Sequence, residues 1–201
     1  MVAANIQITQ GSGTRLATSS YTEGAVTVHD EKMLLGENYL ASYISTTTVI
    51  ALTTANAHLL QVMAGASLNV RIRRIRIYLA SPTTSTSMHQ IQLWRLTTAG
   101  TGGTAFTPAK LDTGDAASGA TTMILPTAKG TESTQLDTWS ATVVATVAAG
   151  FSGLLFEYVQ HPGMKPIIIP AGTANGIAIK GISTQATGSV FITTEFIETS
   201  F

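Results

Sequence analysis

The amino-acid sequence predicts an all-β protein, an antiparallel β-sandwich of the jelly-roll type. From residue 39 onward, short segments rich in Val, Ile, Thr and aromatic residues alternate with clusters of Gly, Pro, Asn and Ser, which is the pattern of strands joined by turns. None of these segments has helix caps or a sustained apolar period of 3.6 residues. Strands that follow one another without helices form a sandwich or a barrel, and an immunoglobulin-like sandwich is the alternative fold.

The individual strands follow from the same pattern. A weak helix candidate, residues 53–66, is short and contains Gly65. Residues 98–119 and 128–137 are predicted as long loops at an end of the sandwich, because they are rich in glycine or polar residues. The predicted strands are residues 39–44, 47–52, 59–63, 68–79, 89–97, 121–125, 140–147, 154–159, 166–169, 176–182 and 189–197.

The chain divides into two parts at about residue 38. Residues 1–38 are polar and weakly periodic, with only residues 25–28 resembling a strand, and they predict an extended N-terminal arm that carries one or two short strands. A frayed terminus is the alternative. Residues 39–201 form the predicted jelly-roll domain. The arm residues that we expect to bind a partner are Arg15, Tyr21, Val26, Met33 and Leu34.

Composition excludes several classes of protein. Charged residues make up 11% of the 201 residues, against roughly 25% in an average soluble domain. A disordered chain would need low hydrophobicity and high net charge, whereas this chain is 44% hydrophobic with a net charge of zero. The absence of cysteine excludes disulfide and zinc–cysteine frameworks, and zero net charge argues against nucleic-acid binding.

No segment of the sequence predicts a membrane span or a secretory signal. No run approaches the roughly 18 apolar residues that a transmembrane helix needs, and the first residues lack a basic region followed by an apolar stretch. We therefore expect a protein that is made in a cytosol and has no membrane partner. Its low surface charge is unusual for a free monomer, and it suggests that an assembly covers part of the surface.

The strongest charge feature is an arginine-rich strand. In residues 68–79 the apolar side chains alternate, but the alternation shifts by one residue at Arg73 and Arg74. A β-bulge there would place all four arginines on one face of the strand. A solvated sheet face and a contact with carboxylates of a neighbouring protein subunit are equally favoured interpretations, and phosphate binding is less favoured. The four arginines are Arg71, Arg73, Arg74 and Arg76.

Signals for catalysis, metal binding and cofactors are poor, and we predict none of the three. Asp112-Thr113-Gly114 matches the tripeptide of aspartic proteases, yet its glycine-rich surroundings favour a turn. The glycine-rich segments do not match a phosphate-binding loop or a nucleophile elbow. The four histidines, at positions 29, 58, 89 and 161, are far apart in the chain and lack the spacing of a metal site.

Two tryptophans bear on carbohydrate binding. Trp94 and Trp139 could form a platform on which a sugar ring stacks, although tryptophans buried in the core of a sandwich are more common. We therefore expect both side chains in the core, with a sugar platform as the alternative.

Three segments resemble a known group of proteins. They are residues 58–67 (HLLQVMAGAS) with the arginine-rich strand that follows, residues 166–180 (PIIIPAGTANGIAIK), and the closing strand at residues 190–201. Together they resemble the small jelly-roll decoration, or cement, proteins of tailed bacteriophage capsids, over about residues 40–201. The shared motifs are structural, namely a strand, a Pro-Ala-Gly turn and a second strand.

The resemblance implies a virion protein without enzymatic activity. It implies a homotrimer that binds the major capsid protein on the outer surface of an icosahedral shell, after assembly in the host cytoplasm. By analogy, the arm at residues 1–38 is expected to reach neighbouring capsid subunits. The alternative is a binding module of the phage tail, baseplate or fibre that recognises carbohydrate, with Trp94, Trp139 and the loop at residues 98–119 as its first candidate residues.

Overall fold

The computed structural model describes residues 18–23, 26–31, 40–81, 86–143, 153–182 and 188–200. The chain forms two compact units, Met1–Tyr39 and Leu40–Phe201. In the first unit, strands β1 (Thr18–Glu23) and β2 (Val26–Glu31) pair as an antiparallel hairpin. Among the described residues there is no helix with the length and apolarity that crossing a membrane requires.

The second unit consists of two antiparallel sheets that pack face to face. Its strands are β3 (Ser42–Thr46), β4 (Ile50–Ala51), β5 (His58–Met63), β6 (Asn69–Ser81), β7 (Ser87–Leu96), β8 (Thr104–Phe106), β9 (Ala109–Lys110), β10 (Thr121–Ile124), β11 (Glu132–Val143), β12 (Leu154–Val159), β13 (Ile167–Ile169), β14 (Gly176–Gly181) and β15 (Ser189–Thr199). Sheet I has the order β12-β6-β15-β3-β9, with β13 also pairing with β6 and β4 with β15. Sheet II has the order β11-β7-β14-β5-β10-β8.

The pairing of the strands identifies the fold as a jelly roll. The four main pairs are nested along the chain: β3 with β15, β5 with β14, β6 with β12, and β7 with β11. The first strand thus pairs with the last, and each following strand pairs with one nearer the middle. This is a ribbon of antiparallel pairs wrapped into two sheets, as in a jelly roll, and the immunoglobulin-like alternative does not apply.

One continuous core joins the inward faces of the two sheets. Sheet I contributes Ile72, Ile75 and Ile77 and sheet II contributes Leu93 and Ile177, each at most 1% exposed. These residues alternate with outward-facing ones, as expected for strands with one buried face. Burying an aliphatic side chain of this size stabilises the fold by about 1.5–3 kcal/mol, so the core holds both sheets together.

Two sequence predictions of secondary structure were wrong. The strand predicted at residues 59–63 is confirmed as β5, and the described residues, which include the helix candidate at residues 53–66, contain no helix. The predicted loop at residues 98–119 contains the short strands β8 and β9, each of which forms one edge of a sheet. Short edge strands offer few free backbone groups to another chain. The second predicted loop overlaps β11, which begins at Glu132 rather than near residue 140.

Candidate interaction surface

The arginine-rich strand has the bulge that its sequence predicts. Along β6, Ile72 pairs with Phe196 of β15 and Arg74 pairs with Glu195, so Arg73 is an additional residue without a counterpart in β15. The bulge restores the alternation, and the four arginines lie half-buried on the outward face of sheet I. The inward side chains of the same strand are all 0% exposed: Val70, Ile72, Ile75, Ile77 and Leu79.

Two of the arginines share a carboxylate. Arg76 Nη2 donates a hydrogen bond to Glu195 Oε1, and Arg74 Nη1 lies 3.6 Å from the same oxygen. Arg74 Nε also lies 3.8 Å from Glu157 Oε1. Burial lowers the pKa of Arg76, but the hydrogen bond and the charge of Glu195 outweigh burial and raise this pKa above its ordinary value. Arg76 therefore keeps its positive charge in the folded protein.

A row of apolar side chains borders the arginines. The rings of Tyr78 and Phe191 stack with their centroids 4.8 Å apart and their planes 16° apart. Arg76 lies over the Tyr78 ring, 6.0 Å from its centroid, and Leu154, which pairs with Tyr78 across the sheet, is 47% exposed. We call these neighbouring groups the arginine surface: Arg71, Arg73, Arg74, Arg76, Tyr78, Leu154, Glu157, Phe191 and Glu195.

The arm residues predicted to bind a partner lie only partly within the described residues. Tyr21 is on β1, where it pairs with Val28, and Val26 opens β2, where it pairs with Glu23. Arg15, Met33 and Leu34 lie outside the described residues. The role of all five in binding stays a prediction.

The weak catalytic and metal motifs have ordinary structural roles. Asp112 Oδ1 accepts a hydrogen bond of 2.8 Å from the amide of Gly114, and the amide of Asp115 donates to the carbonyl of Asp112. These are the contacts of an Asx turn, as predicted for this segment. Within the described part of the chain, no three His, Asp or Glu side chains come together as metal ligands.

The two tryptophans have different environments. Trp139 packs against the core, with its ring 6.0 Å from that of Phe156. Trp94 pairs with Ala178 on the outward face of sheet II, where Lys180 Nζ lies 5.3 Å from the ring centroid. The prediction that both lie in the core is therefore wrong for Trp94, because its position along β7 alternates with those of the core residues Leu93 and Ile91.

A buried polar cluster on sheet II was not predicted. His58 is 0% exposed; its Nε2 lies 2.8 Å from Glu132 Oε1 and its Nδ1 lies 2.6 Å from Gln61 Nε2. Lys180 Nζ donates to the other oxygen of Glu132 at 2.9 Å. A bulge at Leu59, where Ile179 pairs with Leu60 and Lys180 with His58, brings these side chains to one face.

Charges in this cluster favour one protonation state. Burial lowers the pKa of His58 below its ordinary value of 6.5, although the hydrogen bond to Glu132 opposes the shift. Burial raises the pKa of Glu132, but the hydrogen bonds from Lys180 and His58 outweigh it, and the pKa lies below its ordinary value of 4.5. At neutral pH the cluster therefore contains a neutral His58 imidazole and an ionised Glu132 carboxylate.

Comparison of the chain with protein-family models, with curated proteins and with solved structures returns no match.

Proposed function

We propose that this chain is a virion structural protein, a decoration protein that binds the outer surface of an icosahedral phage shell as a homotrimer. The observation that supports the proposal best is the charge of the arginine surface. On the outward faces of β6, β12 and β15 there are four arginines and two glutamates, Glu157 and Glu195. Such a surface fits a protein partner that presents carboxylates.

The chemistry of the arginine surface favours protein over other partners. Guanidinium groups form paired hydrogen bonds with carboxylates, and the adjacent row of Tyr78, Phe191 and Leu154 adds apolar area. Aromatic residues and arginine are enriched in protein interfaces and are frequent hot spots. Because the surface is built on long paired strands, it is rigid before binding, which reduces the entropic cost of association.

Symmetry explains how such a surface could stabilise a shell. Each copy needs only a modest affinity, because the contacts are repeated around the shell and stabilise the assembled state by mass action. The separate unit Met1–Tyr39 supplies a second contact, with which we expect the protein to reach an adjacent capsid subunit. Two linked contacts raise the effective affinity without new chemistry at either one.

The first experiment measures the native molar mass by light scattering on a sizing column. A trimer of the 21.0 kDa chain gives about 63 kDa, the mass expected for a symmetric homo-oligomer. A mass near that of one chain would overturn the preassembled trimer, and binding to shells would then have to be accompanied by trimerisation.

The second experiment measures binding to shells of the phage that encodes the chain, purified without this protein. Cosedimentation at graded concentrations should give an affinity that Arg74→Glu lowers by about tenfold or more, since it introduces a like charge at the interface. Lys129→Glu is the matched control, because it changes the charge equally on an exposed loop beside sheet II. A folded wild-type protein that does not sediment with the shells would refute the proposal.

One observation favours a second candidate, a carbohydrate-binding module of the tail, baseplate or fibre. Trp94 lies outside the core on the outward face of sheet II, and its indole Nε1 donates to Gln92 Oε1 at 2.8 Å. A glycan array probed with the wild-type protein and with Trp94→Ala tests this candidate. Binding that Trp94→Ala abolishes while Trp139→Phe retains it would support the carbohydrate function over the capsid function.

A further inference from the structure

Two loops lie together against the outward face of sheet II. Residues 97–103 and 126–131, here called the loop pair, are joined by backbone hydrogen bonds from Thr97 to Thr131 at 3.0 Å and between Thr101 and Ala128 at 2.9 and 3.1 Å. The amide of Gly100 donates to the side-chain oxygen of Gln61, at 2.9 Å. This bond fixes the loop pair to the buried strand β5.

The Gly100 amide determines the orientation of the Gln61 side chain. A backbone N–H can only donate, so the oxygen of Gln61 must face Gly100 and its NH₂ group must face His58 Nδ1, 2.6 Å away. His58 Nδ1 is consequently an acceptor. His58 Nε2 then carries the hydrogen and donates to Glu132 Oε1 at 2.8 Å. Each hydrogen bond in this series, from Gly100 through Gln61 and His58 to Glu132, has one donor and one acceptor when the imidazole is neutral.

Protonation of His58 disrupts this series of hydrogen bonds at one point only. A cationic imidazole donates from both nitrogens, and the bond from Nε2 to Glu132 is unaffected. At Nδ1, however, two donors would face each other. If Gln61 rotates to offer its oxygen to Nδ1, its NH₂ group faces the Gly100 amide instead, and the bond to the loop pair is lost.

We propose that Gln61 and His58 form a proton-sensitive latch, which holds the loop pair against sheet II when His58 is neutral and releases it when His58 is protonated. Gly100 has no room for a side chain, because a Cβ atom there would lie 2.7 Å from the carbonyl of Ala128 and 2.9 Å from Gln61 Nε2. Since backbone hydrogen bonds join the two loops at Thr97 and Thr101, we expect the loop pair to be released as a unit.

The charges around His58 favour the latched form at neutral pH. The charged groups that face it are Glu132 and Lys180 from sheet II and Lys129 from the loop pair. Lys180 already neutralises Glu132, at 2.9 Å, and burial disfavours the imidazolium. The neutral, latched form is thus the stable one at pH 7, and release requires a lower pH.

Hydrogen exchange of the full-length chain, followed by mass spectrometry, tests the latch. Between about pH 7.5 and pH 5, and after correction for intrinsic exchange, peptides covering residues 97–103 should lose protection by about tenfold or more. Peptides from β6 should not change. In Gln61→Glu the carboxylate accepts from both Gly100 and a protonated His58, so protection should persist at the lower pH.

Matched controls separate the latch from a general effect of acid. His161→Gln removes an exposed histidine and should leave the wild-type loss of protection intact. Long-range ¹H–¹⁵N spectra of the wild-type imidazole should show the hydrogen on His58 Nε2 at neutral pH. A hydrogen on Nδ1, unchanged protection in the wild type between the two pH values, or the same loss in Gln61→Glu would each overturn the proposal.

Discussion

Glu198 offers the sharpest test of how the long loop after β9 is fixed to the sandwich. Its carboxylate, 5% exposed, accepts hydrogen bonds from Ser118 Oγ at 2.6 Å, from the Gly119 amide at 3.0 Å and from the Ala120 amide at 2.8 Å. In Glu198→Ala these three donors lose their common acceptor. The Ala120 amide is buried and is left without its shortest hydrogen bond, whereas Ser118 is half-buried and Gly119 is exposed.

The magnitude follows from the number of donors. A buried donor left without a partner costs about 1–3 kcal/mol, and Ala120 retains a weaker bond to Ser118 Oγ at 3.2 Å. We expect Glu198→Ala to lower the free energy of unfolding by about 3 kcal/mol in total. For a domain of this size that corresponds to a decrease in Tm of about 6–12 °C.

Urea unfolding followed by fluorescence, together with calorimetry, measures the effect. Glu157→Ala is the matched control, since the Glu157 side chain is 38% exposed and its ion pair with Arg74 is 3.8 Å long. Exposed ion pairs of this kind contribute at most about 1 kcal/mol. If the two variants lost the same stability, the loop would not be anchored by Glu198 and the reasoning would be refuted.

Three further predictions concern the core, a close contact and pH. Ile77 is 0% exposed, and Ile77→Ala should lower the free energy of unfolding by about 2–5 kcal/mol. Val49 is 63% exposed, and Val49→Ala should change this free energy by less than about 0.5 kcal/mol. Urea unfolding of both variants measures the difference. Gly65→Ala should cost about 1–3 kcal/mol, because the new Cβ would lie 2.7 Å from the carbonyl oxygen of Gly119; unchanged stability would show that the two backbones can separate. Burial lowers the pKa of His89 as it does that of His58, so the unfolded chain binds more protons than the folded one below about pH 6.5. The urea midpoint should therefore fall as the pH decreases from about 7 to 5. A midpoint that rises over this range would contradict the assigned burial of the two histidines.

The sequence predicted the fold class because strand alternation is a local signal. The bulge at Arg73 could be located from the shift in apolar alternation alone, since a residue with its side chain on the wrong face is visible in one strand. The early start of β11 could not be predicted from the sequence, because Glu132 and Gln135 lie at the beginning of an edge strand that has polar side chains on both faces. Such a segment has the composition of a loop.

The His58 cluster could not have been found from the sequence. His58 and Gln61 are three residues apart, which places them on opposite faces of a regular strand. Only the bulge at Leu59 brings them together, and it lies in a run of apolar residues where alternation gives no sign of it. Glu132 and Lys180 come from distant strands, so their approach is a property of the tertiary structure.

The nested strand order has a consequence for biosynthesis. In sheet I, β15 separates β3 from β6, and in sheet II, β14 separates β5 from β7. The two strands that follow all others in the chain therefore occupy central positions, and the earlier strands have gaps between them until both have left the ribosome. Such long-range pairing is slow, and the incomplete chain exposes unpaired edges. We expect the jelly roll to form only after translation has passed residue 199, in one cooperative step, and chains that stop before β14 to aggregate rather than fold.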